Sequence, residues 1–160
     1  MASLMMAQIS DLHIKCEGEL SYGVVDTVAM LRRCIAHITA LPRRPDLVLA
    51  TGDLVDSGSA REYATLRRLL EPLDMPVYLI PGNHDDRAVL RECFPDHPWL
   101  REWQPYLQYA IDELPLRILA LDSVVSGEEG GRLCEARLAW LADALSAAPR
   151  QPTLLMLHHP

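Results

Sequence analysis

The stretch "DLVLATGDLVD", residues 46–56, decides the fold because it joins an apolar run to a loop that carries carboxylates. The run through Leu47, Val48 and Leu49 predicts a buried strand. Gly52 and Asp53 follow at once, and this pair predicts a tight turn in which glycine can adopt a positive φ. The stretch therefore places an acidic loop at the carboxyl end of a buried strand.

Further apolar runs and amphipathic segments alternate on both sides of this strand. Strands are predicted at 4–10, 76–82 and 152–159, and a hairpin at 106–112 and 116–122. Helices are predicted from Val24 to Ile38, from the capping box of Ser59 and Glu62 to near Pro72, around 86–93, and at 135–145. This order indicates one α/β domain over residues 1–160, with a largely parallel sheet to which the hairpin adds a mixed element.

Composition and charge limit the classes of function that this chain could have. The chain has 160 residues, 49% of them hydrophobic and 23% charged, which suits one folded domain. The formal net charge of -7 argues against binding duplex nucleic acid, although bound metal ions could still attract an anionic substrate. The sequence shows no signal peptide or membrane span, and its four scattered cysteines predict reduced thiols, so we expect a cytoplasmic protein.

Polar residues that suit metal binding follow four of the predicted strands. They are Asp11 and His13 after the first, Asp53 and Asp56 after the second, Asn83, His84, Asp85 and Asp86 after the third, and His158 and His159 after the last. Because the carboxyl ends of parallel strands share one edge of a sheet, these loops are expected to converge. His37 and His97, the other two of the six histidines, are interpreted as ordinary helix and loop residues.

Carboxylates, imidazoles and an amide oxygen together favour two divalent ions such as Mn, Fe(II), Zn or Co. Asp11 and His13 could chelate one ion, and Asp53 could bridge both. Asn83 and a histidine from the last strand would then serve the second. Each motif by itself could be only a turn at the end of a strand, but four such motifs in succession favour a metal site. Two ions about 3.5–4 Å apart suit phosphoester chemistry. The sequence has no GxSxG, GxxxxGK[ST] or GxGxxG motif for another mechanism.

The motifs "SDLH", "GDLVD", "GNHD" and "LHHP", in this order, resemble the calcineurin-like metallophosphoesterase superfamily. The stretches at 22–27, 44–58, 77–86 and 119–123 are similar to its cyclic-nucleotide and glycerophosphodiester phosphodiesterase branch. The resemblance implies a four-layer α/β/β/α sandwich, of which this chain would be the N-terminal portion. It also implies a dimetal site at the strand ends.

Carried over by motif, the metal ligands would be Asp11, His13, Asp53, Asn83 and His158, with His159 as the alternative to His158. His84 would be catalytic, touching the scissile phosphate to stabilise charge or protonate the leaving group. Asp56 and Asp85 are expected to orient their neighbours through hydrogen bonds.

One departure from the family pattern concerns a Gly-His-x-His element that supplies a histidine to each metal and that this chain lacks. We therefore expect a domain that is incomplete at its C-terminus, where Pro160 would begin a loop. The intact protein could form homo-oligomers.

The resemblance predicts a phosphodiesterase that hydrolyses a 3′,5′-cyclic nucleotide or a glycerophosphodiester through a metal-bridging hydroxide. A phosphomonoesterase or nuclease is the alternative within this chemistry. A non-catalytic interaction protein on the same fold is the alternative from another class, although the candidate site residues Asp11, His13, Asp53, Asn83 and His84 are all present.

Overall fold

The computed structural model describes residues 4–100 and 105–159; Pro160 and its predicted loop lie outside these ranges. The strands are β1 (Met6–Ile9), β2 (Leu47–Thr51), β3 (Val77–Ile80), β4 (Tyr109–Ile111), β5 (Arg117–Ala120) and β6 (Thr153–Met156). The α-helices are α1 (Thr27–Thr39), α2 (Ala60–Leu70), α3 (Arg87–Cys93) and α4 (Glu135–Ala147). The α/β class and each predicted element are confirmed.

The strands form two sheets, as the α/β/β/α sandwich implies, and the single mixed sheet expected from the order of elements is wrong. β1, β2 and β3 form a parallel sheet with β2 in the centre. In the second sheet β5 pairs antiparallel with β4 and parallel with β6. The sheets separate at β3, where the Leu79 carbonyl accepts a hydrogen bond of 2.7 Å from the Tyr109 hydroxyl of β4. The Tyr109 side chain, rather than the β4 backbone, therefore meets this part of β3.

One hydrophobic core joins the two sheets and the inner face of α1. Val48 and Leu79 of the first sheet and Ile118 of the second are fully buried in it. The prediction that Val24 starts the α1 face is wrong, because Val24 is 77% exposed and precedes the helix. Asp26 caps α1 instead, since its carboxylate accepts a hydrogen bond from the Ala29 amide.

Side-chain hydrogen bonds fix α2 and α4. The predicted capping box of α2 is present, with Ser59 and Glu62 bonding each other's backbone amides. Arg117 of β5 donates to the Ala144 carbonyl near the end of α4, which ties that helix to the second sheet. Among residues 4–100 and 105–159, no helix combines the length and apolar character that a membrane crossing requires.

Candidate metal centre

The loops after β1, β2, β3 and β6 meet at one end of the two sheets, as expected from the sequence. The first two run side by side, because the His13 amide donates to the Asp53 carbonyl at 2.9 Å and the Asp11 amide to the Gly52 carbonyl at 3.1 Å. The third loop joins them through the His84 amide, which donates to the Asp53 carboxylate at 3.0 Å. Asp53 thus lies at the junction of three loops.

The backbone is left-handed at three of the predicted ligands. Asp11 has a φ of 54°, His13 of 42° and Asp53 of 47°. Residues other than glycine adopt this conformation at an energetic cost, and such strain concentrates at functional sites. The loop geometry therefore aims these side chains in directions that regular strands would not give them.

Two glycines let the loops approach this closely. A Cβ added at Gly82 would collide with the Asp53 carboxylate, and one at Gly52 would collide with the His158 ring. Gly52 also has a φ of 91°, which confirms the positive φ predicted for the turn after β2.

Asp53 is central and only 5% exposed. One of its oxygens lies 3.6 Å from His13 Nε2 and the other 3.4 Å from His158 Nε2. Two groups of donor atoms share this carboxylate, each with its atoms within 4.8 Å of one another. The first group is His13, Asp53 and His84, and the second is Asp11, Asp53 and His158.

Hydrogen bonds define the tautomers of two of these histidines. His158 Nδ1 lies 2.8 Å from the Thr51 carbonyl, and His84 Nδ1 lies 2.7 Å from the Asp56 carbonyl. Because a carbonyl oxygen only accepts, each Nδ1 must carry the proton. In the neutral ring, Nε2 of His158 then presents a lone pair to Asp53. Two acceptors face each other there, an arrangement that a cation between them stabilises.

The residues present fit a divalent metal on two further observations. His13 Nδ1 is buried and has no hydrogen-bond partner among the described residues. The Asp11 and Asp53 carboxylates lie in one group within 4.8 Å, and like charges this close repel each other unless a cation compensates. Oxygen and imidazole donors without thiolates match Mn, Fe(II), Zn or Co.

Asn83 and His159 form a neighbouring pair across the two sheets. The Asn83 side-chain oxygen lies 3.2 Å from His159 Nε2, and His159 Nδ1 lies 2.7 Å from the Ser123 hydroxyl. Burial and the neighbouring His158 lower the pKa of His159, which favours the neutral form that binds metals. His158 and His159 therefore both reach the site, and the choice between them as the ligand beside Asn83 stays a prediction.

The Asp85 carboxylate holds the loops after β2 and β3 together. Its buried carboxylate accepts hydrogen bonds from the amides of Leu54 and Gly82 and from the Tyr63 hydroxyl. Burial raises the pKa of Asp85 to about 6, although these hydrogen bonds oppose the shift. The loops after β2 and β3 are thus joined through one carboxylate.

Asp56 contacts His84 and Lys15 at one side of the site. Its backbone carbonyl binds His84, and its carboxylate forms an ion pair of 2.5 Å with Lys15. Burial raises the pKa of Asp56, but the hydrogen bond and charge of Lys15 outweigh it and leave the pKa lowered. The Asp56 carboxylate therefore stays ionised beside His13, whose Nδ1 lies 3.7 Å away.

Sequence reasoning missed Ser123 and Lys15. Ser123 follows β5 as the other site residues follow their strands, so the "LALDS" stretch carried the relevant signal. Lys15 lies two residues beyond His13, and nothing in the local pattern marks it as a partner of Asp56. His37 is exposed on α1, and His97 packs against Phe94 and Trp99, so neither belongs to the two donor groups.

Comparison with known proteins gives consistent matches. The profile of the calcineurin-like phosphoesterase family matches residues 4–160. A probable glycerophosphodiester phosphodiesterase of Arcobacter nitrofigilis is 41% identical over 157 residues, with 98% of this chain and 57% of the relative covered.

Two further relatives have related names. A glycerophosphodiester phosphodiesterase of Enterobacter lignolyticus is 37% identical, covering 98% of this chain and 57% of the relative. A probable cyclic nucleotide phosphodiesterase of Rhodococcus erythropolis is 36% identical, covering 97% and 52%. The chain thus spans about half the length of the curated relatives it matches.

Proposed function

Because this chain belongs to the calcineurin-like phosphoesterase family, we propose that the protein is a metal-dependent phosphodiesterase acting on small organic phosphodiesters. The substrate class is a 3′,5′-cyclic nucleotide or a glycerophosphodiester, in line with the names of the relatives. The observation that carries the proposal is the convergence on Asp53 of His13, His158 and the Asp11 carboxylate.

By the family motif, Asp11 and His13 would hold one ion and Asp53 both, whereas the groups of neighbouring donors place His13 with His84 and Asp11 with His158. Asn83 and a histidine after β6 would hold the second, and His159 Nε2 lies 3.2 Å from the Asn83 oxygen. When bound, the ions activate water and offset charge on the phosphoryl oxygens.

His84 is the candidate for proton transfer to the leaving group. The Asp56 carbonyl fixes its Nδ1–H, so Nε2 is the nitrogen left to face a substrate. The His13 ring meets the His84 ring edge-on, with centroids 4.6 Å apart, and limits its rotation. As an imidazolium, His84 can donate a proton to the departing alkoxide oxygen or stabilise negative charge there.

The cavities beside the centre have the size of small-ligand sites. One of about 490 Å³ lies next to Asp11 and His13 and is lined by apolar side chains, including Val25 and Leu31. Another of about 440 Å³ lies next to Asn83 and His84. Two cavities flanking the donors provide space for the two organic arms of a phosphodiester.

The free cysteines fit the reducing environment of the cytoplasm, which is the location that we propose. The candidate metal ligands are present and lie close together. The site therefore gives no support to a non-catalytic role on the same fold.

Hydrolysis of bis(p-nitrophenyl) phosphate tests the proposal. The intact protein, including any sequence that follows residue 160, is assayed with Mn²⁺ and with EDTA, beside Asp53→Asn, His84→Ala and the control Asp143→Asn. Asp143 is exposed on α4, so its substitution removes one negative charge away from the site.

We expect activity that requires Mn²⁺, falls at least 100-fold in Asp53→Asn and His84→Ala, and persists in Asp143→Asn. Equal rates with Mn²⁺ and EDTA, or unchanged rates in Asp53→Asn, would refute the proposal.

A further inference from the structure

Cys134 lies outside the metal centre, directly before α4, in surroundings that suit a thiolate. The sulfur lies 3.4 Å from the Tyr106 hydroxyl oxygen, and Cys134 is only partly buried. Cys134 precedes the 13-residue helix α4, whose first backbone amides have no carbonyl partner within the helix, and the thiol makes no capping hydrogen bond to them. An anion at this sulfur would accept hydrogen bonds from these groups.

The second observation is a buried cation with an unused donor. Arg137 is 4% exposed, and its Nη1 donates to the carbonyls of Asp122 and Val124 at 2.7 and 3.0 Å. Its Nε is buried with no hydrogen-bond partner among the described residues. An unsatisfied buried donor costs about 1–3 kcal/mol, so an anion at the neighbouring sulfur stabilises this arrangement.

Arg87, rather than Arg137, makes the closer ion pair with the Asp122 carboxylate. The Asp122 carboxylate is held by Arg87 through two hydrogen bonds of 2.6 and 2.8 Å, whereas Arg137 stays 3.7 Å from it. Both guanidinium groups lie over the Tyr106 ring, at 4.4 Å for Arg137 and 5.8 Å for Arg87. The neighbouring Glu135 is exposed to solvent, which screens its negative charge.

These contacts act on the thiol in the expected direction. The Tyr106 hydroxyl, followed by the backbone amide and side chain of Arg137, lowers the pKa of Cys134 to about 6. Burial raises the pKa of Cys93 instead. The cysteines of this chain therefore differ in chemistry although all four are free and partly buried.

We propose that Cys134 is a modification site at which small hydroperoxides oxidise the thiolate to a sulfenate. The sulfur attacks one peroxide oxygen, an S–O bond forms, and the O–O bond breaks. Sulfur loses two electrons, and the departing oxygen takes a proton from solvent to leave as water or an alcohol. The sulfenate oxygen can then accept from Arg137 Nε and the first amides of α4.

Site-resolved alkylation tests the thiolate, with the other cysteines as internal controls. At pH 5.5 a thiol with a pKa of about 6 is about one-quarter ionised, against about 0.1% for an ordinary thiol. After allowance for the weaker nucleophilicity of a low-pKa thiolate, iodoacetamide should modify Cys134 roughly tenfold faster than Cys16, Cys34 or Cys93. Peptide mass spectrometry measures the four rates, and urea should equalise them.

Two variants sharpen the test. Tyr106→Phe should slow Cys134 alkylation at pH 5.5, whereas Cys134→Ser should remove the fast phase entirely. Hydrogen peroxide followed by dimedone should then label Cys134 before the other cysteines. Equal alkylation rates in the native chain, or dimedone labelling elsewhere but not at Cys134, would overturn the proposal.

Discussion

The Asp85 carboxylate gives the sharpest prediction about how the site is held together, because it accepts three hydrogen bonds from two loops and one helix. One oxygen accepts from the Leu54 amide at 3.0 Å and the Gly82 amide at 2.8 Å. The other accepts from the Tyr63 hydroxyl at 2.8 Å. Asp85→Ala leaves both amides buried and without an acceptor, while Tyr63 keeps a weaker contact of 3.4 Å to the Asp86 carbonyl.

The expected loss in unfolding free energy follows from that count. Each unsatisfied donor costs about 1–3 kcal/mol, so the two amides left by Asp85→Ala should lower the unfolding free energy by roughly 2–6 kcal/mol. Asp85→Asn should lose only about 1 kcal/mol. Its side-chain oxygen can serve both amides, and its NH₂ group can donate to the Tyr63 oxygen.

Urea unfolding of the metal-free chain, followed by tryptophan fluorescence, measures both differences. Asp112→Ala, at an exposed aspartate after β4, is the matched control and should change stability by less than about 0.5 kcal/mol. The reasoning fails if Asp85→Ala resembles that control, or if Asp85→Asn is as damaging as Asp85→Ala.

Two other predictions concern histidines. Burial, followed by the charge of Arg67, lowers the pKa of His97, so this residue binds more protons in the unfolded chain near pH 6 and its contribution to stability should fall as the pH drops from 7.5 to 5.5. His97→Gln should flatten that slope in urea titrations at several pH values, and an unchanged slope would contradict this. Ser123→Ala frees the ring of His159 and should weaken binding of the second Mn²⁺ at least tenfold by calorimetry. Ser146→Ala, exposed on α4, should bind both ions as wild type does, and equal binding by Ser123→Ala would show that Ser123 does not orient His159.

Local sequence was sufficient for the elements and for the strand-end loops. The apolar run at 47–50 and the acidic loop after it are each encoded within a few residues, so β2 and the position of Asp53 could be predicted. The division into two sheets was implied only by the family resemblance, because strand pairing joins segments that lie far apart in the sequence. Pairing of β5 with β6 similarly depends on distant segments.

The directions of the His158 and His159 side chains could not be predicted from the strand pattern. β6 stops at Met156, so the alternation of a strand no longer determines where the following side chains point. His158 turns to the Thr51 carbonyl of the first sheet and His159 to Ser123 of the second. Their order in the sequence therefore does not decide which of them lies beside Asn83.

The left-handed backbone at Asp11, His13 and Asp53 favours metal binding at the expense of the folding stability of this domain. Glycine adopts such angles without the steric cost, which is about 1–2 kcal/mol for other residues, and it would remove the donor at the same time. Selection of a variant library for thermal resistance alone should enrich glycine at Asp11 and His13, whereas the Asp53 carboxylate also bonds the His84 amide. The metal-binding residues would then be lost from a protein that folds more robustly than its parent.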